Sequence, residues 1–333
     1  MDSAQSKNDL ANPGFFDKPT WFKSSFLDLS EDVDEANEAN KQVVLYFHQD
    51  GCPYCKKLLD DNFSDPEIIK KMTTGFDLIE LNMWGDKALV SIEGEELSEK
   101  EFAQKMKVMF TPTLIILDRS GKPQFRMNGY YAPDKFSAVL DYVREQKQAP
   151  SISFNDFYRK QEQKNKQFTQ QDASLHTESF IIKNKNLVDV FKQSNKPMLI
   201  LFEQGQCQEC NELHGDVFRR LPVYKQLQQF TIVQVNINSL SILITPEGKT
   251  MTEQEFARSL GIQYTPSMVF YGTQANNKTI VFRSEAYLKG FHIQALFDYV
   301  LTQAYLNEPE FQRFVQRRAD ALKEQGKEVN LWD

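Results

Sequence analysis

VVLYFHQDGCPYCKKLLDDNF, residues 43–63, decides the fold. Its first five residues are β-branched, aliphatic and aromatic, a short run that reads as a buried strand. KKLLDDNF reads as the start of a helix. Between the two stand Cys52 and Cys55, spaced C-x-x-C. Cys52 therefore falls at a helix N-terminus, where free N–H groups and the helix dipole stabilise a thiolate. Cys55 lies one turn further in, close enough to bridge back. Far along the chain, MLILF (Met198–Phe202) followed by GQCQEC (Gly205–Cys210) repeats the arrangement.

The chain has four cysteines, all in these two pairs, so nothing is left over for a disulfide framework. Zinc needs four ligands. Cys52 and Cys207 are 155 positions apart, and no histidine pair with finger spacing follows either tetrad, so no metal is expected. A purely structural disulfide gains little from closing so short a loop. The strand-to-helix setting favours the remaining reading, a pair that exchanges electrons.

Working outward, an internal repeat appears. EGEELSEKEFAQKMKVMFTPTLIIL, residues 93–117, matches EGKTMTEQEFARSLGIQYTPSMVFY, residues 247–271. Glu93, Gly94, Phe102, Thr111 and Pro112 pair with Glu247, Gly248, Phe256, Thr265 and Pro266 at a constant offset of 154. Asp141-Tyr142-Val143 pairs with Asp298-Tyr299-Val300 at 157, and Phe154 and Phe157 keep that offset with Phe311 and Phe314. The polar stretch 150–168 is therefore the first unit's terminal helix plus a short joint, not a plain linker. Two domains are expected, 15–168 and 175–328.

Each unit reads in the order α-β-α-α-β-α-β-β-α. A leading helix is expected over 24–40, and over 186–194 in the second copy. SDPEIIKKM opens as a capped helix, with Ser or Asp at the N-cap. Ser98-x-x-Glu101 and Thr252-x-x-Glu255 are capping boxes. TPTLIILDRSGKPQFRM reads as two strands joined by a Ser-Gly turn. The fold class is α/β, with a central mixed sheet flanked by helices in each copy.

Composition excludes several functions. The chain of 333 residues is 41% hydrophobic and 26% charged, with a net charge of −7. No basic face is available to neutralise phosphates, so no nucleic-acid partner is expected. No Gly-rich phosphate loop appears, so no nucleotide, flavin or other cofactor is expected. Apolar runs reach about six residues, far short of the ~20 that span a bilayer. The opening MDSAQSKNDLANPG is polar and lacks the apolar core of a signal peptide. That leaves a cytoplasmic protein or one whose signal has been removed.

With these residues in view, the order of elements, the C-x-x-C at the first strand–helix junction and the Thr-Pro opening the third strand resemble the thioredoxin fold, twice. More narrowly, FHQDGCPYCKKL, FSDPEI, LNMWGD, GYYAPDKF and the tail FQRFVQRRADALKEQG resemble the bacterial periplasmic thioredoxins of the sulfur-oxidation type (SoxW-like). The resemblance covers nearly all of 22–326. It implies a thiol–disulfide oxidoreductase of the periplasm, acting on protein disulfide clients and fed by an upstream thiol donor. It implies that Cys52 and Cys207 attack and that Cys55 and Cys210 resolve the mixed disulfide. Pro112 and Pro266 are expected to follow cis peptide bonds. With Thr111, Thr265, Pro53 and Tyr54 they would face the client. No segment reads as a dimerisation domain, so a monomer is expected.

The chain also departs from that family. Many thioredoxins carry a buried Asp six residues before the first cysteine, where this chain has Tyr46 and Leu201. His48 and Glu203, each four residues before its cysteine, are candidates for proton handling, against the plainer reading of rim residues. His176, His214 and His292 show no ligand spacing and read as structural or solvated. Met106, Met109 and Met127 read as core residues. Trp84, in a loop where the second copy has Asn238-Ser239-Leu240 in place of Trp84-Gly85-Asp86, reads equally as a partner contact or as loop packing. Glu209 places a carboxylate beside Cys210, which disfavours a thiolate and predicts a more reducing second pair. A second copy that only binds clients, as a chaperone-like or isomerase module, is the alternative.

Overall fold

The computed structural model describes residues 16–145, 152–165, 174–205, 207–272, 279–286 and 288–331, without the side chains of 162–165. The domain limits at 15 and 168, and the joint between the copies, lie outside the described residues. The chain divides into two compact units, with the division between 165 and 166.

In the first unit, α1 (Leu29–Glu38) begins later than the pattern suggested. The Asp28 carboxylate accepts from the N–H groups of Ser30 and Glu31, and Leu27 holds a positive φ, so the helix cannot start at 24. β1 (Gln42–His48) leads into α2 (Pro53–Asp61), capped by Cys52. α3 (Pro66–Gly75) is capped by Asp65 and carries Pro at its first position. β2 (Phe76–Asn82) pairs parallel with β1.

A small hairpin follows, β3 (Ala88–Val90) and β4 (Glu96–Ser98), which the sequence reading did not include. Its strands have three residues each, too short to show alternation. The left-handed φ of Gly94 turns it, as that of Gly248 turns its counterpart in the second unit. α4 (Glu99–Lys105) opens with the expected capping box. β5 (Thr113–Leu117) and β6 (Pro123–Asn128) are antiparallel neighbours, and α5 (Pro133–Glu145) and α6 (Phe154–Asn165) close the unit. The sheet order is β2-β1-β5-β6, mixed as expected.

β1 has alternate residues on opposite faces. Val43, Leu45 and Phe47 join Leu29, Val33, Phe102 and Leu89 in one cluster. On the other face, Tyr46 meets Phe63 edge-on, and Phe63 meets Phe136 of α5. The cysteine helix thus follows a buried strand end packed on both faces, with His48 as its last residue.

The second unit repeats this plan with β7 (Ile181–Ile182), α7 (Leu187–Lys192), β8 (Met198–Glu203), α8 (Gln208–Gly215), a 3₁₀ turn (Val217–Arg219), α9 (Leu221–Leu227) and β9 (Thr231–Asn236). A hairpin of β10 (Ile242–Ile244) and β11 (Thr250–Thr252) precedes α10 (Glu253–Ser259). β12 (Ser267–Tyr271), β13 (Ile280–Ser284), α11 (Gly290–Leu301), a further 3₁₀ turn (Ala304–Leu306) and α12 (Phe311–Glu324) complete it. The sheet order is β13-β12-β8-β9-β7, with β7 an added parallel edge strand of two residues.

The terminal helices confirm the offset of the two phenylalanine pairs. Phe154 is buried edge-on against Phe125 and Tyr142, and Phe311 packs edge-on against Tyr299 and tilted against Phe282. The Tyr142 hydroxyl donates to the Ile152 carbonyl at 2.9 Å, and the Tyr299 hydroxyl to that of Glu308 at 2.7 Å. No helix among the described residues is long and apolar enough to cross a membrane.

Candidate active site

Each C-x-x-C is closed as a disulfide, with Cα atoms 5.2 Å apart for Cys52–Cys55 and 5.1 Å for Cys207–Cys210. In both copies the first cysteine is the N-cap of its helix, with extended backbone, and the second lies inside the first turn. The Cys55 N–H donates to Sγ of Cys52 at 3.1 Å, and the Cys210 N–H to Sγ of Cys207 at 3.1 Å. Once the disulfide opens, this donor and the helix dipole favour a thiolate on the first cysteine over the second. All four residues are buried by the surrounding loops. Cys52 and Cys207 are 2% and 4% exposed.

The Thr111–Pro112 and Thr265–Pro266 bonds are cis, as expected. The Thr111 hydroxyl donates to Sγ of Cys52 at 3.3 Å, and the Thr111 carbonyl oxygen lies 3.3 Å from the same sulfur. The Thr265 carbonyl oxygen stands 3.6 Å from Sγ of Cys207. The structure thus brings both Thr-Pro segments against the first cysteines. Pro53 and Tyr54 are buried. Beside Pro266 a small groove is lined by Glu209, Glu212, Leu213, Met268 and Ile293. Among the described residues no cluster of three or more His, Cys, Asp or Glu is arranged to hold a metal.

Below the pairs the two copies differ. In the first, His48 is buried beside Tyr46, and its Nε2 lies 3.0 Å from Nζ of Lys18. Lys18 in turn pairs with Glu80 at 2.6 Å. Burial, then the charges of Lys18 and Lys87, push His48 down from 6.5 to about 3, so its ring is neutral. Burial also pushes the Tyr46 phenol up. Trp21 and Phe22 close this region with edge contacts to Phe63.

In the second copy the same depth is polar. Glu203 is 1% exposed. Its Oε1 meets Nε2 of His214 at 2.9 Å, and its Oε2 accepts from the Gln234 amide at 2.6 Å. Glu203 is therefore not a rim residue. His214 is likewise buried and bonded to it, the structural of the two readings given for this histidine and not the solvated one. The available signal was spacing. Glu203 lies four residues before Cys207 and His214 four after Cys210, one helical turn from the site.

Comparison with known proteins agrees with this geometry. The thioredoxin-like domain family model matches residues 29–144 and again 185–301, so the chain belongs to that family, in two copies. Fold and family together define a tandem thioredoxin-like protein with one C-x-x-C pair in each copy. Among curated relatives, the thiol:disulfide interchange protein DsbD of Escherichia coli (strain K12) is 29% identical over 115 residues, covering 32% of this chain and 19% of DsbD. The chain thus matches about a fifth of the length of such relatives.

Among solved structures, a thioredoxin-fold protein from Helicobacter pylori is 26% identical, covers 37% of this chain and 81% of that one, and has a TM-score of 0.32. The C-terminal domain of Neisseria meningitidis DsbD in its reduced form is 18% identical over 34% of this chain and 88% of that one, with a TM-score of 0.27.

Proposed function

We propose that the chain exchanges disulfides with protein clients through both pairs, drawing electrons from an upstream thiol donor. Reduction of a client begins with attack of the Cys52 or Cys207 thiolate on a client sulfur. The client disulfide breaks, one client sulfur leaves as a thiolate, and a mixed disulfide forms. Cys55 or Cys210 then loses its proton and attacks the first cysteine, releasing the second client sulfur and closing the disulfide. The donor reverses these steps. The backbone N–H held 3.1 Å from each first sulfur carries this reading, because it selects which thiol is the nucleophile in both copies.

The Thr111–Pro112 and Thr265–Pro266 segments, set against those sulfurs, would offer a backbone edge to an extended client segment, with Pro53 and Tyr54 bordering the first pair. The interchange activity in DsbD's name supports thiol partners of this kind. The C-P-Y-C tetrad and the terminal helix support a periplasmic, SoxW-like setting, with domains over 15–168 and 175–328 working within a monomer.

Trapping tests the reading. Cys55→Ser and Cys210→Ser variants, exposed to a disulfide-bearing protein such as oxidised insulin, should each accumulate a mixed disulfide that dithiothreitol releases. A Cys210→Ser variant that traps nothing, beside a Cys55→Ser variant that does, would make the second copy a binding module.

A further inference from the structure

Glu209 and Glu212 border the groove beside Pro266, and its other walls are apolar. Leu213 comes from the cysteine helix, Met268 from β12 and Ile293 from α11. The groove follows from exchanges between the copies. At the offset of 157, the lining residues Ser284, Leu288 and Ile293 correspond to Met127, Tyr131 and Phe136 of the first copy. Those three are at most 2% exposed, and Phe136 packs edge-on against Phe63. Serine, leucine and isoleucine are each smaller than the residue they stand for. The volume they give up lies against the Thr265–Pro266 segment.

The charges beside the pair reverse as well. At the cysteine offset of 155, Glu209 and Glu212 stand where the first copy has Tyr54 and Lys57. Lys57 pairs with Asp61 at 2.7 Å and lies 5.1 Å from the centre of the Tyr130 ring. Glu212 pairs with Lys289. Glu209 is partly buried, and among the described residues no cation lies in ion-pair range of it. Its Oε2 stands 3.9 Å from Sγ of Cys207.

Apolar walls under a carboxylate without a counter-ion fit one kind of side chain. An aliphatic residue covers the walls and leaves Glu209 bare. An acidic one meets like charge. Lysine and arginine carry a long apolar stem behind a charged head. The stem covers Leu213, Met268 and Ile293, and the head makes a charge-assisted hydrogen bond to Glu209.

We propose that Glu209 and this groove form a client subsite for a lysine or arginine near the client cysteine, present in the second copy and absent from the first. The proposal rests on the second pair exchanging disulfides with clients. A basic head on Glu209 also offsets the negative charge that opposes a thiolate on Cys207. A basic client therefore favours the thiolate that attacks it.

The test uses the full chain with Cys52→Ser/Cys55→Ser, reduced, so that the second pair alone reports. The probes are short peptides whose single cysteine is held as a mixed disulfide with thionitrobenzoate. The Cys207 thiolate attacks the peptide sulfur, the probe's sulfur–sulfur bond breaks, and thionitrobenzoate leaves as a coloured thiolate that gives the rate. Cys210 then displaces the peptide thiol and closes the disulfide. The positions flanking the peptide cysteine carry in turn arginine, norleucine, glutamine or glutamate. Each rate is divided by that of the same peptide with dithiothreitol, which removes the peptide's own reactivity.

At one flanking position or more, arginine should react about fivefold faster than glutamine or norleucine, with glutamate slowest. Glu209→Gln should bring arginine to within about twofold of glutamine, because only the ion pair separates them. That ratio is insensitive to any change the variant makes in the thiolate itself. Equal rates for arginine and norleucine overturn the subsite while exchange stands. So does an arginine advantage that survives Glu209→Gln, or one equally large in the chain with Cys207→Ser/Cys210→Ser. A reduced second pair that reacts with none of the peptides overturns the exchange reading, and the subsite with it.

Discussion

Oε2 of Glu209 lies 3.9 Å from Sγ of Cys207, the first cysteine of its pair, and not beside Cys210 as adjacency in sequence suggested. The carboxylate projects back across the helix N-terminus toward the cap residue. A negative charge there opposes the dipole and raises the cost of a Cys207 thiolate. The first domain has Tyr54 at that position and Lys56 and Lys57 just beyond, paired with Asp60 and Asp61. The second pair should therefore be the more reducing. Glu209→Gln should raise its reduction potential by roughly 10–30 mV, since ~30 mV is tenfold in the equilibrium constant. Titration of each pair in dithiothreitol and glutathione buffers measures both values, and a second pair that is the more oxidising contradicts the argument.

His48 and His292 give each domain an acid-labile element. Burial leads in both cases, lowering His48 to about 3 and His292 to about 4 from the usual 6.5. Between those values and 6.5 the unfolded chain binds protons that the folded chain refuses. Stability is thus complete above about pH 6.5 and falls as pH drops toward the folded values, by up to ~1.4 kcal/mol per pH unit for each group. His48→Gln should flatten that fall in the first domain only. Urea midpoints at pH 7 and 4.5 for the parent chain and for His48→Gln check it, and an unchanged slope would remove His48 from the account.

The paired capping boxes allow a matched test of the duplication. The Ser98 hydroxyl accepts from the Glu101 N–H at 3.3 Å, and the Thr252 hydroxyl from the Glu255 N–H at 3.1 Å. Each glutamate reaches back to the N-cap N–H at 2.8 Å. Ser98→Ala and Thr252→Ala should each cost about 1 kcal/mol, in its own domain. Calorimetry that resolves the two units should show one transition shift per variant while the other stays in place.

The features legible in the sequence are those that local pattern dictates. VVLYF and MLILF declare buried strands, Cys52 and Cys207 lie where a helix must begin, and Ser98 and Thr252 cap by a three-residue rule. The duplication made each reading count twice, which is why Phe154 and Phe311 could be placed before their ring partners were known. The rest depends on what folding brings together. Glu203 and His214 are eleven positions apart, on a strand and a helix whose packing sets their distance, and Glu178 reaches His214 from an edge segment with no periodicity. The three-residue hairpin strands and the two-residue β7 carry too few residues for a pattern. The direction of the Glu209 side chain is a property of the turn, not of its neighbours in the chain.

Trp84 separates loop packing from partner contact. Its indole packs against the cluster of Leu29, Phe47 and Leu89, and its Nε1 donates to Oε1 of Gln49 at 2.8 Å. Gln49 belongs to the loop between β1 and Cys52, so this bond ties the loop after β2 to the one that leads into Cys52. Trp84→Phe keeps most of the apolar contact and deletes the donor. It should lower first-domain stability by about 1 kcal/mol, the usual net worth of one hydrogen bond. Turnover of small disulfides and of protein clients should fall together, by less than a few-fold, because the Cys52 geometry is loosened for both. A selective loss on protein clients, with small-disulfide turnover and stability intact, would instead place Trp84 against the partner.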